Sequence, residues 1–295
     1  MLPTRLDSLA MPLPPDLRMR DATHDDVSTI VALRDDVGWR GHDWALRAVL
    51  DAPAARFVVV VDGDGAIAGV GSGIAYGAIG VVGNMIVSEP HRRRGIGSEV
   101  LQTVRAFLRD ECGCTRLELY ATPAGRPLYA RHGFEPIEPG ARAYLPPLEP
   151  PADGTSVDIG RPADVGALAA YDTPRFGGER SSLLTMMATD PDRPLFVARR
   201  EGSVAGYAWL RPEEGRIGPF LAEDPDVATS LVAAAAEHEV GEPLTVNVPT
   251  SNRTATAWLE ALGVELDPWD GRMALGPPVA RRESTIYGSV VGALG

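Results

Sequence analysis

Val87-Ser88-Glu89-Pro90-His91-Arg92-Arg93-Arg94-Gly95-Ile96-Gly97-Ser98 is the stretch on which the reading of this chain turns. Just upstream, the apolar run Gly-Asn-Met-Ile-Val at 83–87 predicts a strand; downstream, Gly97, Val100, Leu101, Val104 and Leu108 share one face of a helix. The arginines and glycines therefore occupy a strand-to-helix turn. Glycines at 95 and 97 let the backbone come close to a ligand, the first helical amides have no intrahelical acceptor, and the helix dipole adds positive potential. Arg92, Arg93 and Arg94 add charge-assisted contacts, so the turn suits a pyrophosphate. An isolated cluster of this kind reads as a solvated basic patch, and its neighbours decide between the two.

Outward from the turn, Arg18 to Arg20 begins an extended piece, followed by a helix from about Asp25 to Arg34 and a short one over Trp44 to Leu50. Phe57 to Val61, a DGDG turn and two further strand-like runs form an antiparallel meander that ends at Val87. The helix after the turn stops near Gly113, and Arg116 to Ala121 alternates as a strand. Thr122 and Pro123 make an N-cap and first-turn pair for another helix, which ends at Gly133, and Phe134 leads into the last strand. From Gly65 to Ser88 no residue is charged, which is long enough to span a bilayer as a helix. Glycines at 69, 71, 73, 77, 80 and 83 argue instead for two buried strands joined by a turn. GVGSGI within it lacks the third glycine of a dinucleotide fingerprint.

Sliding the second half 130 residues along the first repeats this order. The junction at Ile86 to Ser98 then falls on Arg216 to Ala228, Thr122 on Asn252, and Gly133 on Gly263. LPPLEPPADG at 145–154 reads as a stiff linker. Two domains are expected, residues 1–148 and 155–295, and 295 residues suffice for two hydrophobic cores.

The composition, 44% hydrophobic and 23% charged, is that of a folded globular protein. All 28 basic residues are arginine. Without lysine there is no Walker-type phosphate loop, no kinase catalytic lysine and no pyridoxal Schiff base. A net charge of −12 disfavours nucleic acid and mildly favours cationic substrates. Residues 1–150 carry 16 Arg against 19 acids and residues 151–295 carry 12 against 21, so an anionic cofactor would prefer the first half. Cys112 and Cys114 are too close for a useful bridge and too few for a zinc site; they read as reduced, in a cytoplasmic protein without a signal peptide or membrane segment.

Arg92, Gly95 and Gly97 match the Arg/Gln-x-x-Gly-x-Gly/Ala loop of the GCN5-related N-acetyltransferases (GNAT) superfamily. Val87-x-x-Pro90 also resembles that family, as does Tyr129-Ala-Arg-His-Gly133-Phe134, which looks like its Tyr-x-x-x-Gly-Phe element. The resemblance implies an α/β architecture of two tandem GNAT folds, each a mostly antiparallel twisted sheet flanked by helices, in a bacterial protein. It implies acetyl-CoA, or another acyl-CoA, as co-substrate, no metal, and direct acyl transfer to an amine in a ternary complex. Backbone groups of Met85, Ile86 and Val87 would then hold the pantetheine arm, the amides of Arg92, Arg93, Arg94, Gly95, Ile96, Gly97 and Ser98 the pyrophosphate, and Tyr129 would protonate the departing thiolate. Thr122 stands where the family often has Asn, which puts one pantetheine contact in doubt. Glu118, otherwise an outward-facing strand residue, and a water held by Asn84 are the candidates for accepting the amine's proton. Trp39, His42 and Trp44 fall where the family's first helices border the acceptor, and His91 and His132 read as surface residues.

At the same offset the basic turn becomes Ala222-Glu223-Asp224-Pro225-Asp226-Val227, which places three carboxylates where phosphates would sit, and Tyr129 becomes Leu259. The second copy is expected to be degenerate for CoA even though Asn252 restores the missing Asn, and to supply acidic residues around a cationic small-molecule amine. Arg216-Ile-Gly-Pro-Phe220, Arg272-Met273 and Tyr287-Gly288 resemble the C-terminal domain of certain bacterial tandem acetyltransferases. A non-catalytic acyl-CoA sensor is the competing reading, and a homodimer is left open.

Overall fold

The computed structural model describes residues 13–39, 43–238 and 243–289, together with Gly292 and Leu294. Two compact units emerge. Unit 1 holds Met1–Ile137, Met273–Pro278 and Gly292–Gly295, and unit 2 holds Glu138–Arg272 and Val279–Val291. The division therefore falls at 137/138 rather than in the proline-rich stretch. The cause is hydrogen bonding: the strand that follows Phe134 pairs, from Gly140 to Tyr144, with Pro249 to Thr245 of unit 2.

In unit 1, strands β1 (Arg18–Asp21), β2 (Ala55–Val61), β3 (Ile67–Tyr76), β4 (Ile79–Val87) and β5 (Arg116–Ala121) lie side by side in that order. The first four are antiparallel, and β5 joins β4 in parallel. Helices α1 (Val27–Asp36) and α2 (Trp44–Asp51) precede the β2–β4 meander, α3 (Ile96–Ala106) follows β4, and α4 (Arg126–Arg131) follows β5. The uncharged segment from Gly65 is thus two strands and their turn. No helix among the described residues is long and apolar enough to cross a membrane.

The glycines of that segment have a packing role. Gly69, Gly71 and Gly73 alternate along β3 and so face one side of the sheet. A Cβ there would come within 2.7, 2.4 and 2.7 Å of Ile96, Val100 and Val104, which recur every fourth residue on α3. Bare backbone lets the helix settle onto the strand, where Val100, Leu101 and Val104 are fully buried. Burying each such side chain is worth about 1.5–3 kcal/mol. Beyond Ala106 the helix widens into a single turn, Phe107–Glu111, before Gly113 turns it off at φ 72°.

Unit 2 repeats the plan with strands β6 (Glu135–Tyr144), β7 (Ser156–Ile159), β8 (Leu195–Arg200), β9 (Ser203–Arg211), β10 (Arg216–Ala222) and β11 (Thr245–Pro249). Their order is β6-β11-β10-β9-β8-β7, with β6 contributing from Glu138 onward. Helices α5 (Val165–Phe176), α6 (Ser181–Thr189), α7 (Pro225–Ala236) and α8 (Arg253–Ala261) accompany it. Strand β12 (Leu266–Leu275) belongs to unit 2 through Arg272, and its last residues stand beside β5 in unit 1. Strand β13 (Ile286–Gly288) pairs with β10.

Candidate active site

β4 and β5 pair only at Ile79–Val81 with Arg116–Glu118. Past that point no pairing joins them, so main-chain groups of β4 up to Val87 border an opening between two parallel strands. A bulge in β4 aims them: the register with β3 shifts between Val70 and Ser72, and Asn84 takes φ 53°. Its side chain is buried and donates from Nδ2 to Ser72 Oγ at 3.0 Å, which holds the bulge from within the sheet. Met85 turns its sulfur toward Gly71, so the backbone rather than the side chain faces the opening.

The opening leads to the Arg/Gly turn. Ser88–Gly95 spans it; Arg93 and Gly95 adopt φ 66° and 83°, and Gly95 accepts from the amides of Ser98 and Glu99 as α3 begins. Arg92 and Arg93 are exposed. Arg92 Nε donates to Val87 O at 3.3 Å. Arg94 is already engaged, with Nη2 2.7 Å from both carboxylate oxygens of Asp16, whereas Arg92 and Arg93 have no ion pair among the described residues. A Cβ on Gly97 would stand 3.3 Å from Leu128, so α3 and α4 meet closely behind the turn.

Tyr129 sits on α4 against Phe134, ring centroids 6.0 Å apart and edge to face. Burial pushes its phenol pKa well above the ordinary value, so the hydroxyl stays protonated. Helix α4 begins at Arg126 with Gly125 as its N-cap, which corrects the reading of Thr122 and Pro123 as cap and first turn. Thr122 instead opens the preceding turn, its Oγ1 accepting from Gly125 N at 3.2 Å. Glu118 is not outward-facing: it is buried, and Arg116 Nε donates to it at 2.5 Å. His132 is likewise buried, Nε2 lying 3.2 Å from Ser98 Oγ, and burial, with Arg105 and Arg131, holds its pKa below the usual value. His91 is half-buried beside Ser88, Oγ to Nδ1 2.9 Å. Trp39 and Trp44 are half-buried at the end of α1 and the start of α2, and His42 lies outside the described residues. Burial raises both thiols, Cys114 to about 11, so neither is a ready nucleophile.

Sequence reading missed Ser72, Tyr76 and Tyr120. Ser72 and Tyr76 alternate with the glycines of β3, and Tyr120 shares the face of β5 that bears Glu118; the alternation was visible. Tyr76 OH donates to Leu294 O at 3.0 Å, a partner no local pattern announces.

Unit 2 carries the same junction, altered. β10 and β11 pair only at Arg216–Ile217 with Thr245–Val246, then separate like β4 and β5. The starts of the two parallel ladders make Arg216 the counterpart of Ile79, not of Ile86, so the uniform 130-residue offset fails here. The long turn is shortened to Glu223 and Asp224 rather than rewritten residue by residue. Asp224 caps α7, its Oδ1 accepting from the amides of Asp226 and Val227 at 3.0 Å, and Arg200 binds the same carboxylate. Glu223 pairs with Arg175. β13 fills the opening: Gly288 and Ile286 pair with Phe220 and Leu221, and Ser289 N donates to Asn247 O at 3.0 Å. Asn252 Nδ2 donates to Ser284 O and Ile286 O at 3.0 and 2.9 Å, so the restored Asn holds the chain's own backbone. The landmarks at Gly133 and Gly263 survive, both left-handed just past α4 and α8.

A parallel strand pair that diverges after a short ladder is present twice, opening in unit 1 onto a glycine-bearing helix start and holding β13 in unit 2, and this is the plan of an N-acetyltransferase fold. Residues 22–134 match the acetyltransferase (GNAT) family and residues 168–288 an acetyltransferase (GNAT) domain, and the chain belongs to the GNAT superfamily as a tandem protein. It is 25% identical over 196 residues to the uncharacterized N-acetyltransferase YitH of Bacillus subtilis, covering 65% of this chain and 68% of that one. A putative acetyltransferase from Pyrococcus horikoshii superposes with TM-score 0.80 at 20% identity, over 97% of this chain and 98% of that one. A GCN5-related N-acetyltransferase from Sphaerobacter thermophilus gives 0.62 at 17%, over 92% and 100%. A tandem GNAT protein from the clavulanic acid biosynthesis pathway gives 0.61 at 18%, over 89% and 99%. These structural likenesses speak for the fold.

Proposed function

We propose that unit 1 binds acetyl-CoA and passes its acetyl group directly to an amine, while unit 2 binds no CoA. The carrying observation is the separation of β4 and β5, into which no strand among the described residues is inserted and which ends at Arg92, Arg93 and the start of α3, set against the same separation in unit 2 filled by β13. The residues present fit the co-substrate, which supplies a thioester carbonyl and a thiolate leaving group. In this reading main-chain groups of Met85–Val87 extend the sheet onto the pantetheine arm, and an amide there polarises the carbonyl. The amides at the start of α3 and the exposed Arg92 and Arg93 take the pyrophosphate, and Tyr129, kept protonated by burial, gives its proton to sulfur. Asn84, whose Nδ2 is used by Ser72, offers its side-chain oxygen to a water that receives the amine's proton. Glu118 is the weaker candidate base because Arg116 already holds its carboxylate. The excess of 40 acidic over 28 basic residues favours a cationic small-molecule acceptor.

The test is calorimetric titration of acetyl-CoA, followed by thiol release with anionic, neutral and cationic amines. One site per chain is expected. Arg92→Glu with Arg93→Glu should weaken it about 100-fold, two charge-assisted contacts at about 1.5 kcal/mol each. Tyr129→Phe should lower kcat by about 100-fold or more with little change in KM. Two sites, or one indifferent to the double change, would refute the placement. Binding without turnover of any amine would make the chain an acyl-CoA sensor, and equal turnover of all three amine classes would remove the cationic preference.

A further inference from the structure

One face of the unit 2 sheet gathers two arginines around a buried amide side chain. Val246, Ile217 and Ala143 point into the hydrophobic core, so the alternate residues Asn247, Arg216 and Arg142 share the opposite face. Register places them together: Arg142 lies directly across from Asn247, and Thr245, two residues along the same strand, sits between Tyr144 and Arg216. Arg142 and Arg216 thus flank β11 from its two neighbouring strands, about 10 Å apart at the backbone, within reach of one small molecule.

The hydrogen bonding of the three is incomplete. Asn247 is 4% exposed, and its Oδ1 has no partner. The Nε atoms of Arg142 and Arg216 are buried and equally unpartnered. Glu214 stands 3.7 Å from Arg216 Nη1 and 3.2 Å from Nε of the fully buried Arg211, so one carboxylate serves two guanidinium groups. Burial, with the charge of Arg142 beside it, pulls the Arg216 pKa below its ordinary value. Tyr144, at the rim of this face, is 50% exposed, so the face is reachable.

We propose that the face formed by Arg142, Arg216 and Asn247 binds a small organic carboxylate that also bears a hydroxyl or amino donor. Each guanidinium matches a carboxylate's geometry, and the donor satisfies Asn247 Oδ1, which a purely anionic ligand would leave unpaired. Inorganic phosphate shares the charge and carries an O–H at neutral pH, but its single tetrahedral group is too short to meet two guanidinium groups and the Asn247 oxygen together, so it tests geometry rather than charge.

The experiment uses the full chain carrying Arg92→Glu and Arg93→Glu, so that anions do not report on the basic turn and the outcome is independent of the reading of unit 1. Malate, succinate and inorganic phosphate are titrated by calorimetry and by thermal melting. Malate is expected to bind at least tenfold more tightly than succinate, and phosphate more weakly than either. Arg142→Gln or Arg216→Gln should cost malate tenfold or more, and Asn247→Ala should erase its advantage over succinate. Without ligand, Arg142→Gln should melt at the same temperature as its parent or higher, because it relieves repulsion; a residue there for stability would melt lower. No saturable malate binding, binding indifferent to both arginine changes, phosphate equal to malate, or a lowered unliganded melt for Arg142→Gln would each overturn the proposal.

Discussion

The two units open the same pair of parallel strands and then part company. In unit 1 the opening is lined by free main chain, and the turn beyond it is long, glycine-bearing and basic. In unit 2 a strand of the protein itself lies in the opening, and Asp224 occupies the helix amides that a phosphate would take. The opening in unit 2 is therefore not a void. Exposed β-strand groups and unsatisfied amides are costly when buried, so the positions that would hold ligand atoms acquired protein atoms of matching polarity.

The comparison breaks hardest under truncation. A protein ending at residue 148 lacks Met273–Pro278, and with it the 2%-exposed Met273 and the acceptors Leu275 O and Gly276 O of Arg109 and Arg116. It is expected to show no cooperative thermal transition by circular dichroism; a sharp melt would mean that unit 1 is complete without those residues. Next in size, Asp224→Ala should destabilise by about 1 kcal/mol, the usual worth of an N-cap, and still bring no second acetyl-CoA site in calorimetry, because β13 remains. A second site in that variant would show that charge alone, not the strand, separates the copies. The smallest effect sharpens the picture of α4, where unit 1 has His132. Its folded pKa lies below the unfolded one, so the unfolded chain takes up the proton first as pH falls. That contribution is present above about pH 6.5 and is lost as pH drops toward the folded value. His132→Gln should therefore flatten the decline in melting temperature between pH 7 and 5; an unchanged slope would assign the decline to other groups.

Most of this was legible because it is local. Period-two and period-3.6 patterning located β2–β5 and α3, and the basic turn stood out because three consecutive arginines run into two glycines at a strand-to-helix junction. What patterning could not show was pairing between distant segments. The pairing of β6 with β11, the strand β13 in its slot, and the Asp16–Arg94 bond all depend on residues far apart in sequence. The fixed 130-residue offset failed because the copies differ in length, most of all in the turn between Val87 and Ile96, which is much shorter between Ala222 and Pro225. Glu118 and His132 were misplaced for a related reason: a polar side chain is ordinarily outside, and its partner, Arg116 for Glu118 and Ser98 for His132, is not announced by local pattern.

The assignment of Met273–Pro278 to unit 1 also sets a timetable. At about 5–20 residues per second of synthesis, roughly 10 s pass between the emergence of Ile137 and that of Met273. Through that interval β5 is an unpaired edge, the kind of surface on which nascent chains recruit one another. The unit encoded first is thereby finished last, and the yield of folded protein during rapid expression should depend less on the intrinsic stability of unit 1 than on how well its open edge is sheltered while it waits.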